Sequence, residues 1–346
     1  MLQVEFRPAL ERSGGDGMNA NAPEHQLVDV HSHFVTPEYV EAATRAGHVH
    51  PEGMPRWATW SVPEHLAMMD EAGIARAVLS VSSPGTHFGV DAAARALARS
   101  LNRFSAGVVE RFPDRFGHFA ALPMPDVEGA LAEAAYALDE LGAAGVAVLS
   151  NAHGVYLGDP RYAELYAELD RRGAIVFVHP VSPPNWERVS GGRPRPMLEF
   201  IFDSARAAAD LVLSGTVHRH RNIRWVFSHS GGALPVLAER LELFRGLLPE
   251  QVPGPAVTEQ LAGLWYDIAG TPFPHAAPAL TRAFGDDRVL YGSDYCWTPA
   301  AGALAQARTV DPTWRALTTR NANRLLDERA GVAKPRTPAI AMLPGL

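Results

Sequence analysis

Eight short apolar runs of strand length, all but one followed by a stretch of helical periodicity, limit the fold of this chain more than any other feature. The runs lie at 27–34, 77–81, 116–122, 145–149, 174–180, 223–229, 264–268 and 289–294. Helical patterns fill 63–72, 91–111, 127–141, 160–172, 197–217 and 234–248, and two more, at 301–310 and 314–326, follow the last strand. Several strands are continuously apolar, as expected of a parallel sheet covered on both faces. Eight is also the number that closes a barrel, and 346 residues exceed the about 250 such a barrel needs. An open doubly wound sheet would carry a Gly-rich phosphate loop after its first strand. Here that position holds His31-Ser32-His33-Phe34. We expect an α/β protein, a (β/α)8 TIM barrel over 26–330, with an insertion after strand 1 at 37–60 and C-terminal helices. A flexible tail at 1–25, in which Met18 is a possible native start, and a Pro-rich arm at 331–346 complete the chain.

Residue counts remove whole classes of mechanism. Cys296 is the only cysteine, which excludes an internal disulfide framework and any Cys-rich metal site. Lys334, in the Pro-rich arm, is the only lysine, so a lysine Schiff base and a metal pair bridged by a carboxylated lysine are poor readings. The net charge of -7, with both signs spread along the chain, lacks a basic nucleic-acid footprint. No apolar run approaches the ~20 residues of a membrane span, and the first 25 residues lack a signal-peptide core. A cytoplasmic protein without nucleic-acid or membrane partners is the expectation.

In a barrel the active site lies at the C-terminal ends of the strands. His31 and His33 end strand one, and residues two apart share a face roughly 7 Å apart along a strand, close enough to chelate one ion. The triplets His48/His50 and His218/His220 have the same spacing, but one sits in a Gly/Pro-rich loop and the other where a helix should end. Strand five ends in His179, strand six in His229 and strand eight in Asp294. Four strands delivering such groups to one mouth point to a metal site.

The set His31-x-His33, Val178-His179-Pro180, Ser228-His229-Ser230-Gly231-Gly232 and Gly292-Ser293-Asp294-Tyr295 resembles the amidohydrolase superfamily. More narrowly it resembles the branch containing aminocarboxymuconate-semialdehyde, γ-resorcylate and 6-methylsalicylate decarboxylases. The 82–89 stretch and the run from His229 are most similar to the 6-methylsalicylate members. The resemblance implies one divalent ion held by His31, His33, His179 and Asp294, with His229 beside it as a catalytic group. Some members place Glu at the first position and use manganese. With His31 present, a nitrogen-rich site suits zinc better, with manganese as the alternative.

Arg56, in the insertion, and Arg240, on the helix after His229, match positions that clamp a substrate carboxylate in the aminocarboxymuconate enzyme, the second from a neighbouring subunit. A guanidinium is the natural partner of a carboxylate. Trp57, Trp60, Phe88, Trp186, Phe273 and Trp297 fall on loops of the catalytic face and are candidates to hold an aromatic ring. Cys296 is expected in the pocket wall. These features favour metal-dependent, non-oxidative decarboxylation of a salicylate-like acid, with Asp294 or His229 protonating the carbon. The partner is then a small aromatic carboxylate, and the assembly a homo-oligomer, dimer or tetramer. The alternative is a mononuclear metal-dependent hydrolase of a lactone, ester or amide.

Overall fold

The computed structural model describes residues 26–248 and 251–327. The tail at 1–25 and the arm at 331–346, with Met18 and Lys334, lie outside the described residues. Eight parallel strands form the barrel in chain order: β1 (Leu27–His33), β2 (Ile74–Ser80), β3 (Phe116–Ala121), β4 (Gly145–Leu149), β5 (Ile175–His179), β6 (Arg224–Phe227), β7 (Trp265–Asp267) and β8 (Val289–Leu290). The ring closes where Asp29 bridges Tyr291 in parallel and the Val30 N–H donates to the Tyr291 carbonyl at 3.0 Å. A two-stranded ribbon, Asn151–Ala152 with Val155–Tyr156, follows β4.

Every strand contributes to one buried cluster: Val28 and Val30, Val78, Phe119, Ala147, Ile175 and Phe177, Val226, Trp265 and Leu290. This is the filled lumen of the barrel, and the stacked rings of Phe119 and Phe177, 5.6 Å apart, are its centre. Burying side chains of this size contributes about 1.5–3 kcal/mol each. Two larger clusters lie between the strands and the surrounding helices.

The register of β1 slips twice, and the site depends on the second slip. Asp29 pairs with Ala77 and Ser32 with Leu79, three steps along β1 against two along β2. Such a bulge re-aims the residues beyond it. Val28 and Val30 therefore fill the lumen, while His31 also turns inward, 5.0 Å from the Phe177 ring. The insertion holds a helix, Pro37–Arg45, that periodicity did not announce. Thr36 caps it by accepting from the Tyr39 N–H, and Pro37 starts it, a position where proline costs no hydrogen bond. Short helices at Val257–Ala262 and Ala277–Phe284 precede β7 and β8.

Candidate active site

His31, His33 and His179 reach the mouth with Nδ1 already engaged. His31 Nδ1 lies 3.0 Å from Asp267 Oδ2. His33 Nδ1 lies 3.0 Å from Ser80 Oγ and 3.3 Å from the Ser80 carbonyl, and His179 Nδ1 lies 2.7 Å from the Pro180 carbonyl. Those carboxylate and carbonyl acceptors favour the tautomer protonated at Nδ1 and leave each Nε2 lone pair for a ligand. His31 Nε2 and His33 Nε2 stand 2.9 Å apart, with Asp294 Oδ1 at 3.4 and 3.2 Å from them. Donor atoms of His31, His33, His179 and Asp294 all fall within 4.8 Å of one another.

Facing nitrogen and carboxylate donors this close together could hold one cation. Burial resists a charge on His31, but Asp267 and then Asp294 outweigh it and push its pKa up to about 10. Burial also opposes charge on Asp294, yet the His31 and His33 rings beside it hold its carboxyl well below the usual carboxylate range. Three imidazole nitrogens and one carboxylate oxygen are a donor set that zinc or manganese accepts. The residues fit a divalent ion.

The backbone that presents these groups is tightly specified. Asp29, fully buried, accepts from the N–H groups of His31 and Ser293, both at 3.0 Å, and the Asp294 N–H donates to the His31 carbonyl at 2.8 Å. β1 and the segment after β8 are thereby fixed to each other. Gly292 makes the approach possible, because a Cβ there would lie 2.6 Å from His31 Cβ. His229, Ser230 and Asp294 adopt φ of 54°, 56° and 57°, the left-handed region, at a cost of about 1–3 kcal/mol each.

Asp267, the last residue of β7, is a site residue that the sequence reading passed over. One oxygen meets His31, and the other accepts from the N–H groups of His229 at 3.1 Å and Ala269 at 2.9 Å. It holds the His31 ring and the His229 backbone together. The same strand-end rule that singled out His179 would have found it. His31, Asp267 and His229 form a second close trio, but His31 Nδ1 is committed there to Asp267. The His229 ring lies 5.0 Å from His31 and 6.2 Å from His179, and its Nδ1 has no hydrogen-bond partner among the described residues.

Over these groups opens a cavity of about 410 Å³, lined by His179, His229, Asp294 and the apolar Met54, Met197, Phe200, Ile201 and Trp297. Of the loop aromatics, Trp297 alone lines it. Trp57 packs behind Trp297 with ring centroids 5.7 Å apart, and Trp60 packs on Phe34. Phe88 lies against His48, and Phe273 against Trp314. Trp186 lines an adjacent cavity. Cys296 is buried in the core behind Trp297 rather than in the wall, because its neighbour takes the exposed position. Arg56 sits on an exposed loop, and Arg240 is exposed on the helix Leu234–Arg245 with its guanidinium over Phe244. Neither lines the cavity.

The sequence model of the amidohydrolase family matches residues 28–327. Decarboxylase yanB of Aspergillus niger is 35% identical over 292 residues, 79% of this chain and 78% of its own length. A 6-methylsalicylic acid decarboxylase of Aspergillus aculeatus, acuB, is 33% identical over 304 residues, 84% of this chain and 90% of its own. Among solved structures, a 2,6-dihydroxybenzoate decarboxylase in complex with 2,6-dihydroxybenzoate superposes with a TM-score of 0.76 at 25% identity, covering 87% of this chain and 99% of that one.

Proposed function

This chain belongs to the amidohydrolase family, and on that premise we propose that it is a metal-dependent, non-oxidative decarboxylase of a hydroxylated, salicylate-like aromatic acid. The observation that carries the reading is the near full-length likeness to 6-methylsalicylic acid decarboxylase, over 90% of that enzyme. The cavity supports it, since about 410 Å³ with Phe200, Trp297 and Met54 in its walls suits a single aromatic ring. In this proposal the catalytic domain is 26–330, and His31, His33, His179 and Asp294 hold one ion, zinc by preference and manganese as the alternative.

When bound, the ion supplies the positive charge that fixes and neutralises the acid's carboxylate and ortho-oxygen. The chain's own residues move the proton. Asp294 enters as a carboxylate, in keeping with its depressed pKa, and a bound cation acts in the same direction. It takes the phenolic proton and delivers it to the ring carbon that bears the carboxylate. The bond from that carbon to the carboxylate then breaks, its electron pair returns to the ring, and carbon dioxide leaves. The phenolate regains a proton from water on release. His229, whose backbone N–H donates to Asp267, faces the same cavity as the second proton-handling group. Apolar walls exclude competing water from the protonated ring.

No helix among the described residues is long and apolar enough to cross a membrane. A cytoplasmic homo-oligomer, dimer or tetramer, completes the proposal. Exposed Val236, Leu243, Phe244 and Leu247 on and just beyond one helix support assembly. The test is purified protein loaded with zinc or manganese and offered 6-methylsalicylate, 2,6-dihydroxybenzoate and a panel of lactones. Carbon dioxide with the matching phenol is the expected result; turnover of lactones alone would replace this reading with hydrolysis.

A further inference from the structure

Beside the metal cavity, on the same face of the barrel, lies a second cavity of about 760 Å³ that the decarboxylation does not use. Loops after β1, β2, β4 and β5 line it through His48, Glu52, His87, His153, Trp186 and Arg195. Glu52 lines both cavities, so one side chain stands between them.

Arg195 is the unusual feature of this second space. Its side chain is only 11% exposed, and its guanidinium lies 3.9 Å from the centre of the Trp186 ring. Nε donates to Ser182 Oγ at 2.9 Å. Glu52 Oε2 forms an ion pair with that Nε at 3.6 Å, on the same edge as Ser182, whose hydroxyl donates to the Glu52 carboxylate. Among the described residues, Nη1 and Nη2 have no hydrogen-bond partner. Gly53 lets the loop pack directly against Nη1, since a Cβ there would overlap it. A planar guanidinium anchored at Nε, with Nη groups that make no hydrogen bond among the described residues, has donors left for a carboxylate. Trp186 supplies an aromatic surface against which the ring of such a ligand can pack. Glu187 also lines the cavity, but Arg195 makes no salt bridge with it within 4 Å.

We propose that this cavity is a carboxylate-binding vestibule, in which Arg195 pairs with the carboxylate of an aromatic acid and Trp186 packs on its ring before the acid passes Glu52 to the metal. The choice of an aromatic acid as ligand rests on the decarboxylase reading. Benzoate is the appropriate probe, because it has the carboxylate and the ring but not the ortho-hydroxyl that the reaction needs. Titrated into the metal-loaded full chain, with tryptophan fluorescence and calorimetry as readouts, it should bind wild type at least tenfold more tightly than Arg195→Gln. Arg195→Lys, which keeps the charge and loses the fork, should fall between them. In steady state, Arg195→Gln should raise KM for the aromatic acid by more than it lowers kcat. Trp186→Leu leaves the Arg195–Ser182–Glu52 contacts in place and should weaken benzoate several-fold even if Arg195→Gln folds poorly. Equal benzoate affinity in wild type and Trp186→Leu, or in wild type and a folded Arg195→Gln, would overturn the proposal. Arg195-dependent benzoate binding without carbon dioxide release would support the vestibule and count against the decarboxylase reading alone.

Discussion

The two cavities share a face of the barrel and one side chain, yet they are built on different principles. Donors of the inner cavity sit on strand ends, and the contacts that aim them, Asp267 to His31, Ser80 to His33 and the Pro180 carbonyl to His179, come from barrel strands or the residue next to one. The outer cavity is lined partly by strand residues, Ala121 and Leu149 among them. Its charged groups Glu52, Glu187 and Arg195 come from loops far apart in sequence, where Ser182 and Trp186 hold Arg195. Rigid strands place atoms that must meet within fractions of an ångström, whereas loops can vary what is admitted. The inner cavity should therefore control whether chemistry occurs, and the outer one how readily the acid arrives.

Substitutions can break that division of labour. Asp294→Asn has the largest expected effect, a fall in kcat of about 10³-fold or more, as expected when a positioned proton carrier is lost. Most of the metal should remain on the three histidines, which metal analysis of the purified variant would check. Retained turnover would remove Asp294 from the reaction. Asp267→Asn comes next. Losing the charge that orients His31 should weaken metal affinity by about 10–100-fold, measurable by competition with a chromophoric chelator. Unchanged affinity would mean that the strand ends hold His31 without help. Arg56→Ala should have the smallest effect, a change in KM below about threefold, because the side chain is exposed and outside the cavity. A tenfold rise would return the carboxylate clamp to the insertion and erase the contrast between the two cavities.

The same division explains what could be read in advance. The eight strands were visible because their residues are buried on both faces, and a strand end in a closed barrel has one place to be. His31, His33, His179, His229 and Asp294 could be gathered from that rule before any coordinates. Asp267 obeys it too and was missed only because a lone aspartate in an apolar strand draws less notice than a histidine pair. The bulge in β1 leaves no signature in composition, although it decides which way His31 faces. Phe200 and Met197 reach the cavity from the start of a helix and the turn before it, where periodicity cannot distinguish a pocket wall from ordinary core. Glu52 and Arg195 meet only because two loops fold over the same face, and no local pattern relates them. The loop aromatics illustrate the same limit, since Trp297 lines the metal cavity while Phe88 and Phe273 pack elsewhere.

Metal-dependent decarboxylation at the inner cavity is tested most directly by stripping the protein with a chelator, adding zinc or manganese back in steps, and measuring carbon dioxide and 3-methylphenol from 6-methylsalicylate at each step. Both products should rise together in equal amounts and level off at one ion per chain, with Asp294→Asn silent throughout. Product formed without metal, a plateau at two ions, or carbon dioxide release that survives Asp294→Asn would contradict a single-ion site worked by the strand-end residues.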